Sequence, residues 1–441
     1  MSGLTAAMPP EGKTLGASIL SMALKHCGVR YMFGVVGIPI VEVGATAQMV
    51  GLEFVGFRNE QAASYAAGAA SYLTGQPQAC LCVSGPGVIH GMAGVANAWA
   101  NCWPMILIGG SAATPQQGMG AFQESPQLEL MRPFTKYAVR IDKAERIYFH
   151  VSRALHIARS GRPGPVYLEL PAELVAEHAP IEMMNFPAAL PPPPRSLAEP
   201  SDVKRTIELL RSAKRPLVIV GKGAAWSRAE VTVRQFIEKL QVPFLATPMG
   251  KGVVPDDHPL SVAAGRSGAL GGADVVVLVG ARLNWILHFG LPPRFKSDVK
   301  FVQIDISSEE LHHNVPTEIG LIGDAQAICQ QLTQAAQGVE FPKWSEWKNQ
   351  LAKEVSKNNA AVAKLMANED VPMSYYRVFK SIRAGIPKDA VIVSEGANTM
   401  DIGRTILTNI LPRHRLDAGT YGTMGKSNKP NAVQSNHTCM V

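Results

Sequence analysis

Charge is scarce in this sequence. Only 17% of its 441 residues are Asp, Glu, Lys or Arg, against ~25% in an average soluble protein. With 46% hydrophobic residues beside so little charge, the composition excludes a disordered chain, and it fits neither collagen nor coiled coil. No window approaches the ~18 uncharged apolar residues of a membrane span. Met1 to Lys13 lacks the apolar core of a signal peptide. The six cysteines are Cys27, Cys80, Cys82, Cys102, Cys329 and Cys439, and none has CxxC spacing. They read as reduced core residues of an intracellular protein, not a disulfide frame or a zinc site. The formal net charge is +7. No dense basic run is interleaved with aromatics, so nucleic acid is not the expected partner. An anionic small molecule suits the excess, as does a plain solvated surface.

What is present is an α/β pattern. Gly 40 and Pro 32 supply many turns, and the length suits two to four domains at ~100–200 residues each. Thr14 reads as the cap of a helix that runs to Cys27. Tyr31–Val35 and Leu52–Phe57 read as short strands, and Glu60–Thr74 as an alanine-rich helix stopped by Gly75. Gln78–Val83 reads as a strand, Val88–Ala100 as a helix and Met105–Ile108 as a strand. Short apolar strands between helices imply a parallel, doubly wound sheet.

Pro191–Pro194 lie in the proline-rich stretch 187–200, which reads as a stiff linker. The pattern then repeats, with strands at Leu217–Val220, Asp274–Val279 and Lys300–Ile304, and a helix beginning at Ser308. We therefore expect a flexible segment at 1–13, a first domain at 14–186, the linker at 187–200 and a central domain at 201–340. A charged helical linker at 341–371 follows, then a third unit at 372–425. That unit opens with a helix at Tyr375–Ala384 and a strand at Ala390–Ser394. Residues 426–441 read as a polar, aperiodic tail, so the third unit is expected to be incomplete.

Several short patterns are candidates for chemistry. Glu60 stands where a strand turns into a helix of small residues. Its carboxylate suits a helix dipole, and it also suits a ligand at the carboxyl end of a strand. Ser84-Gly85-Pro86-Gly87 follows a strand and opens a helix, which exposes backbone N–H groups. It is not a GxSxG elbow and carries no Walker lysine, so hydrolase and NTPase readings are rejected. Gly221-Lys222-Gly223 resembles half a dinucleotide fingerprint without its third glycine. Asp305, at the end of a strand, suits a ribose hydroxyl and equally a turn. Gly323-Asp324-Ala325 reads as a turn.

Taken in order, Gly37-Ile38-Pro39, Arg58-Asn59-Glu60-Gln61-Ala62-Ala63, Ser84–Gly87, Gly120-Ala121-Phe122-Gln123-Glu124 and Ser160–Val166 resemble the first domain of thiamine diphosphate enzymes of the acetolactate synthase and pyruvate oxidase group. Asn101–Pro104, Gly280–Trp285 and Glu395–Asp401 are similar to the branch of 2-hydroxyacyl-CoA lyases and oxalyl-CoA decarboxylases, with Ala121–Glu124 nearer the lyases. The resemblance covers about residues 14–425. It implies three domains with parallel doubly wound sheets. It also implies a lyase that cleaves a 2-hydroxyacyl-CoA to an aldehyde and formyl-CoA through a thiamine diphosphate ylide. Alternatives are oxalyl-CoA decarboxylation, acetolactate synthesis, or a catalytically dead nucleotide-binding or partner subunit.

The resemblance assigns further roles. Glu60 would hold the aminopyrimidine ring, and Gln123 would line the reacting centre. Ser84, Gly85 and Pro86 would contact the cofactor, as would Ala397, Asn398, Thr399, Gly422, Thr423 and Met424. Arg162, Lys222, Arg282 and Asp305 match positions for an adenine nucleotide such as ADP, and Arg404 matches a position near CoA. The resemblance implies a homodimer or homotetramer, Mg²⁺ on the diphosphate and a peroxisomal setting. The chain departs after Gly425. The Gly-Asp and paired asparagine residues that hold Mg²⁺ in the family do not follow, and no peroxisomal end signal is present, which leaves the cytoplasm as the other setting. These departures suggest a shortened gene product, with turnover near background.

Overall fold

The computed structural model describes residues 10–417, 419–423 and 438–440. Two compact units divide between Pro193 and Pro194. The first holds strands β1 (Lys13–Leu15), β2 (Tyr31–Gly34), β3 (Glu53–Gly56), β4 (Ala79–Cys82), β5 (Ile106–Ser111), β6 (Ala138–Arg140), β7 (Val166–Pro171) and β8 (His178–Pro180). Its helices are α1 (Gly16–His26), α2 (Val41–Met49), α3 (Glu60–Thr74), α4 (Pro86–Asn101), α5 (Gln127–Met131), α6 (Ile147–Arg159) and α7 (Ala172–Ala176). Six strands form one sheet in the order β3-β2-β4-β5-β7-β6, every neighbour parallel.

Strand alternation divides this core. Met32, Leu81, Ile106, Ile108 and Leu168 pack with α1, α2 and α6 on one face. Cys82 points to the other face, where a Cβ on Gly91 of α4 would lie 3.1 Å from its Sγ. Each fully buried aliphatic side chain contributes ~1.5–3 kcal/mol. Chain order runs from β2 outward to β3, then returns to β4 on the other side of β2. That reversal opens a crevice at the carboxyl ends of β2 and β4, where open α/β sheets bind ligands.

In the second unit, β9 (Pro216–Val220), β10 (Phe244–Ala246), β11 (Val275–Val279), β12 (Lys300–Asp305) and β13 (Ile319–Ile322) form a parallel sheet in the order β10-β9-β11-β12-β13. Its helices are α8 (Pro200–Ser212), α9 (Lys222–Trp226), α10 (Glu230–Leu240), α11 (Arg266–Gly272) and α12 (Ala325–Ala335). The long helix α13 (Ser345–Ala367) buries Trp347 and Leu351. The indole N–H groups of Trp344 and Trp347 donate to the carbonyls of Ala213 (2.8 Å) and Pro216 (3.0 Å). After it come α14 (Tyr375–Gly385), β14 (Val391–Val393), α15 (Asn398–Ile406), β15 (Arg415–Leu416) and β16 (Thr438–Met440). Phe379, Ile392, Ile406 and Leu407 form a small core there.

Three local expectations change. Thr14 does not cap a helix: it lies in β1, paired antiparallel with Ala179 of β8, and α1 begins at Gly16. Ser308 opens only a three-residue 3-10 turn. Thr438–Met440, within the segment expected to be aperiodic, pairs in parallel with β14. Cys27, Cys80, Cys82, Cys102 and Cys329 are free thiols. No helix among the described residues is long and apolar enough to cross a membrane.

Candidate active site

Glu60 is the first residue of α3. The preceding Asn59 is extended (φ −152°), and its side chain accepts the Ala62 N–H at 3.0 Å, so the helix starts at a fixed point. The Glu60 side chain is only 14% exposed, and its Oε2 lies 3.3 Å from Nδ1 of His90, the fifth residue of α4. Helices α3 and α4 approach closely: a Cβ on Gly94 would fall 2.1 Å from Ser64 Oγ. A Cβ on Gly87 would stand 3.6 Å from Glu60 Oε1, so this glycine leaves one face of the carboxylate uncovered. The thiol of Cys82, at the end of β4, is pushed up first by its contact with Cys80, then by burial, then by the charges of Cys80 and Glu60.

The Ser84–Gly87 turn grips the main chain of Gln123. Ser84 Oγ donates to the Gln123 carbonyl at 3.1 Å. Gly85 takes φ +59°, and a Cβ there would meet that carbonyl oxygen at 2.5 Å. Gly85 N–H donates to Gln127 Oε1 (2.9 Å), and Gln127 Nε2 donates to the Gly110 carbonyl (2.7 Å) and Tyr167 OH (2.9 Å). One buried amide thus ties the turn to β5 and β7. Gly85→Ala is expected to cost about 1–3 kcal/mol, because the strained φ and the backbone clash act together. Thermal unfolding checks this, and an unchanged midpoint would mean that the turn is not gripped.

Beneath Gln123 lies a polar cavity of about 30 Å³, lined by Ser111, Gln123, Glu124, Gln127, Arg140 and Glu169 among others. Arg140 is ion-paired with Glu169 and donates to Ser111 Oγ (2.8 Å) and the Ala112 carbonyl (2.9 Å). The second Glu169 oxygen is buried without a partner. The cavity is large enough for one water, which would satisfy that oxygen. His90, Gln127, Arg140 and Glu169 were not singled out in the sequence. For Glu169 a signal exists: it is a charge inside the otherwise apolar β7.

In the second unit, Lys222, Arg282 and Asp305 follow or end the adjacent strands β9, β11 and β12, so all three stand at one end of the central sheet. Gly221 and Gly280 permit this crowding: a Cβ on Gly221 would lie 2.1 Å from the Gly280 carbonyl oxygen. Asp305 also serves its own turn, accepting the Ser307 N–H at 3.0 Å. Asp324 caps α12 through the Ala327 N–H. Arg162 belongs to the first unit, where its carbonyl accepts Lys136 Nζ at 2.8 Å.

Ala397, Asn398 and Thr399 open α15 after β14, while Gly422 and Thr423 follow the neighbouring parallel strand β15. The two loops leave the same end of that sheet. Met424 lies outside the described residues. Arg404 is held by two carboxylates, with Nη2 2.7 Å from Asp417 Oδ1 and Nη1 3.0 Å from Asp401 Oδ1. No group of three or more His, Cys, Asp or Glu side chains is placed to hold a metal ion among the described residues.

Residues 14–130 match the family model described as "Thiamine pyrophosphate enzyme, N-terminal TPP binding domain", and residues 203–332 match "Thiamine pyrophosphate enzyme, central domain". The chain is 51% identical over 417 residues to 2-hydroxyacyl-CoA lyase 1 of Mus musculus, covering 94% of this chain and 72% of that protein. It is 49% identical to 2-hydroxyacyl-CoA lyase 1 of Homo sapiens, with the same shares covered. Oxalyl-CoA decarboxylase of Escherichia coli K12 is 38% identical over 418 residues, with 93% of this chain and 74% of that protein covered.

Proposed function

The chain belongs to the thiamine pyrophosphate enzyme family, and from that premise we propose that it cleaves the carbon–carbon bond of a 2-hydroxyacyl-CoA to an aldehyde and formyl-CoA. The observation that carries this reading is the carboxylate of Glu60 at the end of the sheet crevice, with one oxygen against His90 and the other left open by Gly87. The residues present fit the aminopyrimidine half of the cofactor. A mostly buried carboxylate is the acceptor that a proton-bearing ring nitrogen requires, and glycines leave room for a ring.

When bound, thiamine pyrophosphate supplies a carbon nucleophile and an electron sink. Glu60 would accept the ring N–H through its carboxylate and so keep a proton on that ring nitrogen. His90 steadies the other oxygen. The Gln123 amide donates to the substrate oxygen on which charge develops. Ser84, Gly85 and Pro86 would form a wall for the ring. Ala397, Asn398, Thr399, Gly422 and Thr423 of another copy would take the cofactor's other side, by family resemblance.

The proposal extends to assembly and ligands. By family resemblance, Glu60 of one copy works with the third unit of another, so a homodimer or homotetramer follows. Exposed Ile38, Ile89, Met119 and Phe122 on the first unit support a covered surface. Mg²⁺ would neutralise the diphosphate by family resemblance, but its family ligands do not follow Gly425 in this sequence, and no cluster of described His, Cys, Asp or Glu side chains is placed to hold it. Lys222, Arg282 and Asp305, at one end of the central sheet, would take the nucleotide, and Arg404 would serve CoA. Peroxisomal residence and a part in fatty acid alpha-oxidation rest on resemblance alone.

Substrate ranking tests the reading at any absolute rate. Supplied with thiamine pyrophosphate and Mg²⁺, the protein is expected to release formyl-CoA and aldehyde from a 2-hydroxyacyl-CoA faster than CO₂ from oxalyl-CoA. The opposite order selects the decarboxylase reading.

A further inference from the structure

We propose that Glu124 is a positioning residue: its carboxylate gathers the backbone N–H groups of Gly118, Gly120 and Ala121 and thereby sets the main chain of Gln123. Its Oε1 accepts the Gly118 N–H, and its Oε2 accepts those of Gly120 and Ala121, each at 3.1 Å. Gly118 (φ +80°) and Gly120 (φ +76°) supply the left-handed conformations that turn these three donors toward one point. A single acid thus closes a loop from its own C-terminal end.

Besides these bonds the loop has short backbone turns, Met119 N–H to the Gln116 carbonyl (3.1 Å) and Glu124 N–H to the Ala121 carbonyl (3.0 Å). Met119 and Phe122 are 77% and 76% exposed on the single chain, so apolar packing within the chain does not fix it. At its end Gln123 takes φ +57°, a conformation that costs a non-glycine residue free energy and persists only when neighbours impose it. Two constraints flank that residue. On one side are the Ser84 hydroxyl and the Cβ-free Gly85 at the Gln123 carbonyl. On the other is the Glu124 carboxylate. Removing the second leaves Gln123 with the Ser84–Gly85 grip and a single backbone turn, Glu124 N–H to the Ala121 carbonyl.

Charge matters here because the loop donors are all N–H groups. An ionised carboxylate offers acceptors at both oxygens, whereas an amide offers one and places two unmatched donors at the other. The same bonds hold the Glu124 carboxyl below the usual carboxylate range, led by the Gly118 and Ala121 N–H groups and helped by the more distant charge of Arg140. Arg140 on β6 and Glu169 on β7 are the charged groups facing the loop across the cavity, and they are paired with each other. The sign follows. The folded pKa is depressed, so the clamp is complete above the ordinary carboxylate pKa and is lost as pH falls through the folded value.

The functional half of this inference rests on the proposed lyase reading, in which Gln123 meets the substrate. The structural half does not. Hydrogen–deuterium exchange on the whole protein reads it without turnover. In the wild type, the amides of Gly118, Gly120 and Ala121 are expected to be protected at neutral pH and to lose protection, corrected for intrinsic rate, in acid. Glu124→Ala is expected to lower their protection about tenfold or more, the measure of one charge-assisted hydrogen bond. Glu124→Gln is expected to be intermediate and to show no acid dependence. Equal protection in wild type and Glu124→Ala overturns the clamp.

Action through Gln123 is read by a cycle of Gln123→Ala, Glu124→Ala and the double variant, each assayed for kcat and KM with a 2-hydroxyacyl-CoA. Glu124→Ala is expected to lower kcat in the wild-type background and to do nothing further once Gln123 is gone. Additive losses overturn the positioning role. Absence of turnover from the wild type overturns the lyase reading and leaves the exchange result standing.

Discussion

Glu60→Gln is expected to lower thiamine pyrophosphate-dependent turnover about 10²–10⁴-fold, the range over which a positioned acid or base contributes, while the protein stays folded. Two readings of Glu60 compete, and this variant separates them. As a helix-dipole partner at the start of α3, the carboxylate stabilises by only ~0.3–1 kcal/mol, and glutamine would lose that and nothing else. As the acceptor of a ring N–H, it must carry a negative charge that glutamine lacks. Asn59 caps the helix independently through the Ala62 N–H, so α3 is expected to survive the change. Circular dichroism and the unfolding midpoint should move little. The direct readout is exchange of the cofactor's thiazolium proton with solvent deuterium, followed by NMR, which needs no substrate. Acceleration of that exchange by the wild type and its absence in Glu60→Gln assigns activation of the cofactor to this carboxylate. Equal exchange in both proteins leaves Glu60 with the helix alone.

The elements that could be read in advance are those whose cause is local. Strands such as β9 (Pro216–Val220) and β11 (Val275–Val279) are unbroken apolar runs, which only a sheet covered on both faces tolerates. The α3 boundaries follow from Asn59 as cap and Gly75 as a left-handed stop. Thr14 misled because its environment is set from afar: Lys13–Leu15 pairs with His178–Pro180, and nothing within a helical turn announces that. Ser308 misled because the chain turns back soon after it. His312 takes φ +59° and exchanges hydrogen bonds with Thr317 (2.9 and 3.1 Å), which stops a helix before it grows. The candidate site divides in the same way. Glu60, Ser84–Gly87 and Gln123 sit in contiguous motifs, and the structure gathers all of them in the first unit. Gln127, His90 and the Arg140–Glu169 pair owe their places to folding and carry no motif. Their partners lie 30 to 42 residues away for His90, Gln127 at the turn and Tyr167, so sequence spacing is silent about them.

Asp417→Asn is expected to destabilise the second unit by about 3–5 kcal/mol, the cost of leaving a buried charge without its partner. The Asp417 side chain has no exposure and serves two guanidinium groups at once. Arg404 binds it through Nε (3.0 Å) and Nη2 (2.7 Å), and Arg415 Nε stands 4.0 Å away. Arg415 is itself fully buried, held by Asn409 Oδ1 (3.2 Å) and Ser394 Oγ (3.1 Å), both uncharged. Burial pulls its pKa down to about 10, and Asp417 is the main force in the other direction. Nearby Asp256 is already occupied by Lys251 at 2.7 Å and by the Asn409 N–H at 2.7 Å. It is therefore not free to replace the lost charge. Asparagine keeps the shape of Asp417 but turns one acceptor into a donor facing two guanidinium groups. Asp401→Asn is the control, because it removes the other carboxylate on Arg404 at a side chain that is 70% exposed. Water screens that pair, so its loss is expected to cost no more than ~1 kcal/mol. Trp226, Trp285, Trp344 and Trp347 lie in the second unit and Trp99 and Trp103 in the first. Tryptophan fluorescence in urea therefore reports mainly the unit that carries the substitution. A large midpoint shift for Asp417→Asn beside a small one for Asp401→Asn assigns the stability to the buried acid. Equal shifts would show that water reaches Asp417 as readily as Asp401, and the network would then hold position rather than stability.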